Sequence, residues 1–180
     1  MGSMIHDEGI NNKLLALFVL EKLEIPISED VFLQICCIDN NWIPYLYCLQ
    51  VIQELISNGF IARTLAVAIN KNFLTLTADG RTCLAHFYND IAASVRESVA
   101  KYVREERINF KKKQEFQADY YKNADGTFTV VLKILDAVRP IFELKYIVTN
   151  RAIATSIYNS WDKKAQELYM ALSDVLLESE

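Results

Sequence analysis

The sequence predicts an α+β protein built from two parts that a long helix joins. Three observations carry this prediction. Apolar residues recur at helical spacing through most of the first sixty residues, a strand–turn–strand pattern follows Gly59, and the apolar spacing changes to two after about residue 114. We therefore expect helices and a hairpin in the amino-terminal part, and a three-stranded antiparallel meander with one long helix in the carboxy-terminal part.

The first two helices are predicted from their caps. Asn11-Asn12 can cap the first helix, which is expected to end before Pro26. Ser28 followed by Glu29 and Asp30 predicts the start of a second helix, because acidic side chains favour the positive end of the helix dipole.

A third helix is expected to have Pro44 in its first turn and to end at Gly59, because glycine accepts the positive φ of a helix terminus. Residues Phe60–Thr64 then predict an extended segment, and Phe73–Thr77 the returning strand of a hairpin. A poorly patterned stretch, Leu65–Asn72, lies between them. The buried stripe of the third helix is expected to be Cys48, Leu49, Ile52, Leu55 and Ile56.

This order of three helices, a two-stranded wing and a capped fourth helix is that of a winged helix-turn-helix module, predicted for residues 4–90. Residues 1–3 are left out because Met4 looks like the native start. The runs Glu54–Ile61 and Leu76–Arg81 are similar to a pattern found in many bacterial regulators. It has a physical reason, since Gly59 allows a sharp turn into the wing and Thr77 caps the next helix.

No Gly or Pro interrupts the sequence from Thr82 to Ile108, so the fourth helix is expected to continue through it. Residues 91–113 would then form a connecting helix, long enough to leave the winged module and to dimerise. Its dimer stripe is expected to consist of Phe87, Ile91, Val95 and Val99.

Residues 114–180 are predicted to form a β-β-β-α domain. Three segments show strand alternation: residues 116–121, 128–134 and 141–148. Asp125-Gly126 is a turn signal between the first two, and Thr149 or Asn150 is expected to cap the final helix. The apolar stripe of that helix is expected to be Ile153, Ile157, Trp161, Ala165, Leu168, Leu172 and Val175 or Leu176.

Five short elements extend a resemblance over the whole chain: Asn11-Lys13-Leu14-Leu15, Gly59-Phe60-Ile61, Thr77–Arg81, Ala118–Tyr121 and Trp161–Tyr169. In these elements the chain resembles the bacterial family named domain of unknown function 4364. The resemblance implies a winged-helix front, a small α/β back and a role in transcription regulation, and it supplies no catalytic residues.

The composition indicates a soluble cytoplasmic protein, since 52% of the residues are hydrophobic but no apolar stretch reaches the roughly 20 residues of a membrane span. Cys36, Cys37, Cys48 and Cys83 lack C-x-x-C spacing and are expected to be free thiols, so no metal or cofactor is predicted. No nucleophile, P-loop or dinucleotide motif is present, which favours a protein that is not an enzyme.

The charges are unevenly distributed. The first ninety residues hold five Lys or Arg against ten Asp or Glu, whereas residues 91–113 hold seven basic residues against three acidic ones. Binding to DNA needs cations at the phosphates, so the connecting helix is expected either to supply them or to be a solvated face with local pairs such as Glu97–Lys101. The candidate phosphate or interface residues are Arg96, Lys101, Arg104 and Arg107.

The sequence thus predicts a homodimeric DNA-binding regulator of transcription whose partners are double-stranded DNA and a second copy. Glutamine can pair with adenine and tyrosine can donate to phosphate. The predicted contacts on the third helix and wing are Tyr45, Leu46, Tyr47, Gln50, Gln53, Arg63 and Lys71. The alternative is a protein-interaction module with weak or no DNA binding, which the acidic front and a third helix without Lys or Arg favour.

Aromatic residues cluster in the back domain and leave two interpretations open, an effector pocket or protein interface on one hand and a small aromatic core on the other. They are Tyr120, Tyr121, Tyr146, Tyr158, Trp161 and Tyr169.

Overall fold

The computed structural model of the chain describes residues 2–67, 70–136 and 139–177. The chain divides into two compact units, residues 1–108 and 109–180. Each unit combines helix with a three-stranded antiparallel sheet, which confirms the predicted α+β class. Residues 68–69 of the predicted wing and 178–180 of the predicted back domain lie outside the described residues.

The first unit holds a helix–strand–helix–helix–hairpin–helix order that matches the predicted winged arrangement. The strands pair antiparallel in the order β1-β3-β2. The helices are α1 (Gly2–Leu23), α2 (Glu29–Leu33), α3 (Tyr45–Ser57), α4 (Ala78–Phe87) and α5 (Ala93–Glu115), the last of which continues into the second unit. The strands are β1 (Ile27–Ser28), β2 (Ile61–Ala66) and β3 (Lys71–Leu76).

Helix α1 is the centre of this unit. Every side chain from Leu14 to Leu20 is buried, and at 100° per residue these seven cover the whole circumference of the helix. This part of α1 is buried on every side because α1 packs against α3, α4 and β3 together. The predicted start was wrong: α1 begins at Gly2, so Asn11 and Asn12 lie inside the helix, where asparagine costs only about 0.7 kcal/mol.

Hydrogen bonds of Thr77 connect the end of β3 to the start of α4 and to the turn after α3. The Thr77 hydroxyl accepts a hydrogen bond from the Gly80 N–H (3.0 Å) and donates to the Gly59 carbonyl (2.7 Å), while the Thr77 N–H donates to the Phe60 carbonyl (3.1 Å). Gly59 has a φ of 76°, as the predicted helix end requires. Gly80 lies so close to the Phe60 backbone that an added Cβ would stand 2.2 Å from the Phe60 carbonyl oxygen.

The predicted continuous helix from Thr82 to Ile108 is wrong, because the chain breaks between α4 and α5. Residues Tyr88–Asp90 form a 3-10 turn, and Ile91 is extended and buried. The Tyr88 ring packs edge-on against Phe18 at 5.9 Å, and the Arg96 guanidinium lies over the same ring at 4.5 Å. This packing offsets the lost helical hydrogen bonds and directs α5 back along its own unit.

The second unit is a meander with one helix on one face, as predicted. Its elements are β4 (Phe116–Lys122), β5 (Phe128–Asp136), β6 (Arg139–Val148) and α6 (Arg151–Leu177). Gly126, with a φ of 88°, makes the predicted turn. Asn150, not Thr149, caps α6, because its side-chain oxygen accepts the Ile153 N–H at 3.0 Å.

The core of this unit lies between β5 and the first half of α6. The buried residues are Val130, Leu132, Ile134, Val148, Ala154, Trp161 and Ala165. Of the predicted stripe of α6, Trp161 and Ala165 are buried and Ile157 is half-buried. Ile153, Leu168, Leu172, Val175 and Leu176 are exposed. None of the helices in the described parts of the chain is long and apolar enough to cross a membrane.

Candidate nucleic-acid interface

Helix α3 buries one side and exposes the other. Cys48, Ile52 and Leu55 from the predicted stripe are buried, and Val51 joins them. The predicted contact residues all lie on the exposed side, and Leu46 is 78% exposed. They are Tyr45, Leu46, Tyr47, Gln50 and Gln53. The first turns of α3 therefore present an uncharged face with three large apolar or aromatic side chains.

Gln50 is held by a chain of side chains that leads back to α1. Its amide donates to Glu54 at 2.8 Å, and the Lys13 ammonium lies 2.6 Å from the other oxygen of Glu54. The Lys13 hydrogen bond, followed by that of Gln50, lowers the pKa of Glu54 below its ordinary value. A base contact by Gln50 would first have to replace this hydrogen bond.

The two predicted wing cations are paired with the acidic start of α2. Arg63 lies 3.1 Å from Glu29, and Lys71 lies 2.8 Å from Asp30. Burial raises the pKa of Asp30, but the hydrogen bonds to Lys71, Ser28 and the Val31 backbone, together with the charge of Lys71, outweigh it and bring the pKa below its ordinary value. Arg63 is mostly buried, and its Nε is one of the buried atoms without a hydrogen bond in the described residues.

The other cations of the winged module are also engaged. Lys22 lies over the Phe18 ring at 5.4 Å, and Arg81 lies 2.6 Å from Glu21. With Lys13, Arg63 and Lys71, this accounts for every Lys and Arg in the first ninety residues. Glu29 and Asp30 are visible in the sequence as helix-start acids, but nothing in their spacing indicates that they face the wing.

Helix α5 carries basic side chains that are not in ion pairs within the described residues. Its inner side is fixed by Val99 and Val103, which are buried, and by Tyr102, whose hydroxyl donates to Asp39 at 2.6 Å. The Tyr102 ring also packs edge-on against Trp42, in the turn that leads into α3. This contact brings one turn of α5 beside the residues that precede α3.

The four predicted phosphate residues of α5 divide into two pairs. Arg96 lies over Tyr88 and Arg107 lies 2.9 Å from Glu24. Lys101 and Arg104, which flank Tyr102 in the sequence, are exposed and have no ion pair within the described residues. These two cations can reach a phosphate without breaking an existing contact.

Most residues of the predicted dimer stripe are buried or half-buried within the first unit. Val99 and Ile91 are buried and Val95 is half-buried, whereas Phe87, at the end of α4, is exposed. The physical reason is the break at Tyr88–Asp90, which turns α5 back onto its own unit. These residues therefore do not form the continuous exposed stripe that the sequence predicted.

The thiols of Cys36, Cys37 and Cys48 lie close enough to interact, and all four cysteines are free. The hydrogen bond to Cys48 and burial raise the pKa of Cys36, and burial and the charge of Cys48 raise that of Cys37 to about 12. In the described residues, no three His, Cys, Asp or Glu side chains are grouped as metal ligands.

The aromatic residues of the second unit are divided between the core and the surface. Trp161 is buried, donates its N–H to the Lys133 carbonyl at 3.2 Å and stacks on Phe142. Tyr121 and Tyr146 are exposed instead. Part of the aromatic cluster therefore belongs to the core, and part of it is exposed.

The fold places this chain in a definite class, an α+β protein of two units, each with a three-stranded antiparallel sheet. A family model matches residues 12–176, so the chain belongs to the family described as domain of unknown function (DUF4364). No curated protein matches the chain.

Proposed function

We propose that this protein is a homodimeric, DNA-binding regulator of transcription of the winged-helix type. The observation that carries the proposal is the exposed outer face of α3, which the winged arrangement presents beside a two-stranded wing. In such modules the second helix of the helix-turn-helix enters the major groove, where tyrosine and glutamine can contact phosphates and base edges. In this proposal the protein works in the cytoplasm, where the DNA of a bacterial cell lies.

The phosphate contacts in this proposal come from α5. Lys101 and Arg104 lie one turn apart on the exposed side of α5. The contacts of Tyr102 with Asp39 and Trp42 hold that turn of α5 beside the start of α3. Few other cations of the unit are available, so we expect modest affinity, with a salt dependence that is shallow for one copy because its slope scales with the number of phosphate contacts. A second copy would double the number of such contacts and match a two-fold symmetric site.

The test is the binding of a labelled mixed-sequence duplex, measured by fluorescence anisotropy over a series of salt concentrations. The double charge reversal Lys101→Glu/Arg104→Glu should weaken binding and reduce the slope of log K against log salt by about two for each bound chain, and so by about four for a dimer. Lys163→Glu/Lys164→Glu is the matched control, because it reverses two adjacent exposed cations on α6 and changes the net charge equally. Equal losses in both variants, or no binding at low salt, would count against the proposal.

A second candidate is a protein-interaction module on the same scaffold. Two observations favour it: the cations of the winged module are already engaged, and Tyr45, Leu46 and Tyr47 expose apolar surface. Here a protein partner would be retained after nuclease treatment, lost with Leu46→Asp and unaffected by Lys101→Glu/Arg104→Glu. The reversed pattern of sensitivity would support DNA.

A further inference from the structure

The outer edge of β6 is unpaired. The sheet order is β4-β5-β6, so β6 is an edge strand, and within the described residues no other strand pairs with that edge. Along its ten residues only Val148 is buried and Phe142 half-buried. A long exposed edge with apolar side chains is a template for pairing with another chain, and proteins usually block such edges. Here the edge carries Leu144, Tyr146 and Ile147 at the surface.

The sequence of this edge is complementary to its own reverse. It reads Ile141-Phe142-Glu143-Leu144-Lys145-Tyr146-Ile147. Around Leu144, reversal exchanges glutamate with lysine, phenylalanine with tyrosine, and isoleucine with isoleucine. An antiparallel pair of two such strands would therefore place opposite charges, two aromatic rings and two branched apolar side chains directly opposite each other.

We propose that β6 pairs antiparallel with β6 of a second copy of this chain, about a two-fold axis at Leu144. The two meanders then form one six-stranded sheet. Glu143 lies opposite Lys145 of the second copy and Lys145 opposite Glu143 of the second copy. A two-fold axis uses the same surface on both chains, so self-complementarity of one strand is what it requires.

The charges select this register. Moving the axis by one residue to Glu143 places two glutamates opposite each other, and moving it to Lys145 places two lysines opposite each other. Like charges directly opposite across a strand pair are destabilising. Glu143 has only long ion pairs within its own chain, 3.7 Å to Lys133 and 3.6 Å to Lys145, so its carboxylate can also reach a second copy.

The other edge of the sheet lacks this property. Strand β4 is centred on Asp119, and self-pairing there would place two aspartates opposite each other and Phe116 opposite a lysine. The charge pattern thus distinguishes the two edges and favours β6.

The helix side of β6 provides apolar surface that this pairing would cover. Phe142, Leu144 and Tyr146 alternate on the face that α6 shares, but α6 lies mainly over β4 and β5. Tyr146 is 55% exposed, and Tyr169 of α6 reaches Phe142 with a ring distance of 6.0 Å. In the proposed dimer, Phe142 of each chain would lie opposite Tyr146 of the other, and the two Leu144 side chains would lie opposite each other.

This inference deepens the proposed function and rests on its homodimer, for which it names the surface. Its test needs no DNA. Sedimentation equilibrium of the full chain should give a dimer. Glu143→Lys alone and Lys145→Glu alone should each weaken dimerisation about tenfold or more, because each turns two attractive cross-strand pairs into repulsive ones.

The double variant Glu143→Lys/Lys145→Glu is the decisive rescue, since it restores complementarity with the charges exchanged. It should return the dissociation constant to near the wild-type value. Lys122→Glu, a charge reversal on the β4 edge, should leave the dimer unchanged. A wild-type monomer, or single reversals that leave the dimer intact, would overturn the inference.

Cross-linking tests the register itself. Leu144→Cys places two thiols opposite each other, with Cα atoms about 4.5–5.5 Å apart as in antiparallel pairs, a separation that a disulfide spans. Mild oxidation should link the two chains through this residue. Ile147→Cys is the control, because its two copies would lie roughly 20 Å apart along the strands at about 3.4 Å per residue.

A disulfide at Ile147→Cys but not at Leu144→Cys would contradict the register. The two proposals fail separately. A dimer through β6 without DNA binding refutes the proposed function alone, and DNA binding by a chain insensitive to the β6 reversals refutes this inference alone.

Discussion

Substituting Gly80 by alanine tests why the winged unit needs glycine at the start of α4. An added Cβ would stand 2.2 Å from the Phe60 carbonyl oxygen and 2.7 Å from the Leu76 Cδ1 atom. The first of these is a backbone atom, which cannot rotate away as a flexible side chain could. Relief requires α4 to move away from the α3–β2 turn and weakens the hydrogen bond from the Gly80 N–H to Thr77.

The expected net loss is about 2–3 kcal/mol. Overpacking a close contact costs roughly 1–3 kcal/mol, with the upper end expected for a backbone clash. A weakened hydrogen bond adds about 1 kcal/mol, and the better helix propensity of alanine returns roughly 1 kcal/mol. A loss of this size is a large fraction of the roughly 5–15 kcal/mol that stabilises a typical domain.

Urea unfolding of the full chain, followed by circular dichroism, measures this loss, and hydrogen exchange over β2, β3 and α4 locates it. Gly9→Ala is the matched control, because Gly9 is also helical but an added Cβ there meets nothing within 4 Å. That variant should gain roughly 0.5–1 kcal/mol. The reasoning is refuted if Gly80→Ala is as stable as the wild type or changes in the same direction as Gly9→Ala.

Three further predictions concern other contacts. Tyr102→Phe removes the hydrogen bond to Asp39 and should lower the free energy of unfolding by about 1–2 kcal/mol at pH 7, which urea unfolding measures; no loss would mean that this bond does not anchor α5. Because the pKa of Asp30 is lowered from its ordinary value of 3.8, its contribution is present above that pH and lost as pH falls through the lower folded value. Lys71→Ala should therefore reduce the loss of stability between pH 5 and pH 2, and an unchanged acid profile would contradict the pairing. Trp161→Phe leaves a carbonyl of β5 without its indole donor and should cost about 2 kcal/mol, seen as faster hydrogen exchange in the second unit only.

Local patterns predicted much of the fold because they reflect local physics. The Gly126 turn, the Gly59 helix end and the Thr77 cap each depend on one residue's conformational preference or one short hydrogen bond. The alternation of strands β4 to β6 likewise follows from which face is buried. These features therefore follow directly from single residues or short runs.

Long-range packing explains what the sequence did not predict. Strand β1 has two residues and exists only because Ile27 pairs with Leu74 on β3. The break before α5 depends on Phe18, which comes from α1 and is distant in sequence from Tyr88. Neither contact leaves a periodic signal in the segment that it shapes.

The candidate site divides in the same way. The exposed face of α3 follows from helical periodicity, and the predicted contact residues of this helix are all exposed. Periodicity does not predict which cations are already in ion pairs. Arg63 and Lys71 are paired with acidic residues that lie more than thirty positions away in the sequence. The charge count showed that the first ninety residues have fewer basic than acidic residues. Only the fold shows that Lys101 and Arg104 are exposed and have no ion pair within the described residues.

Selection of binding sites from a pool of random double-stranded DNA tests the proposed function most directly. The proposal predicts enrichment of a sequence with two-fold symmetry, because a homodimer reads two half-sites. It further predicts that Lys101→Glu/Arg104→Glu removes the enrichment, while Lys163→Glu/Lys164→Glu retains it. A pool that stays random with the wild-type protein at low salt would contradict the proposed DNA recognition.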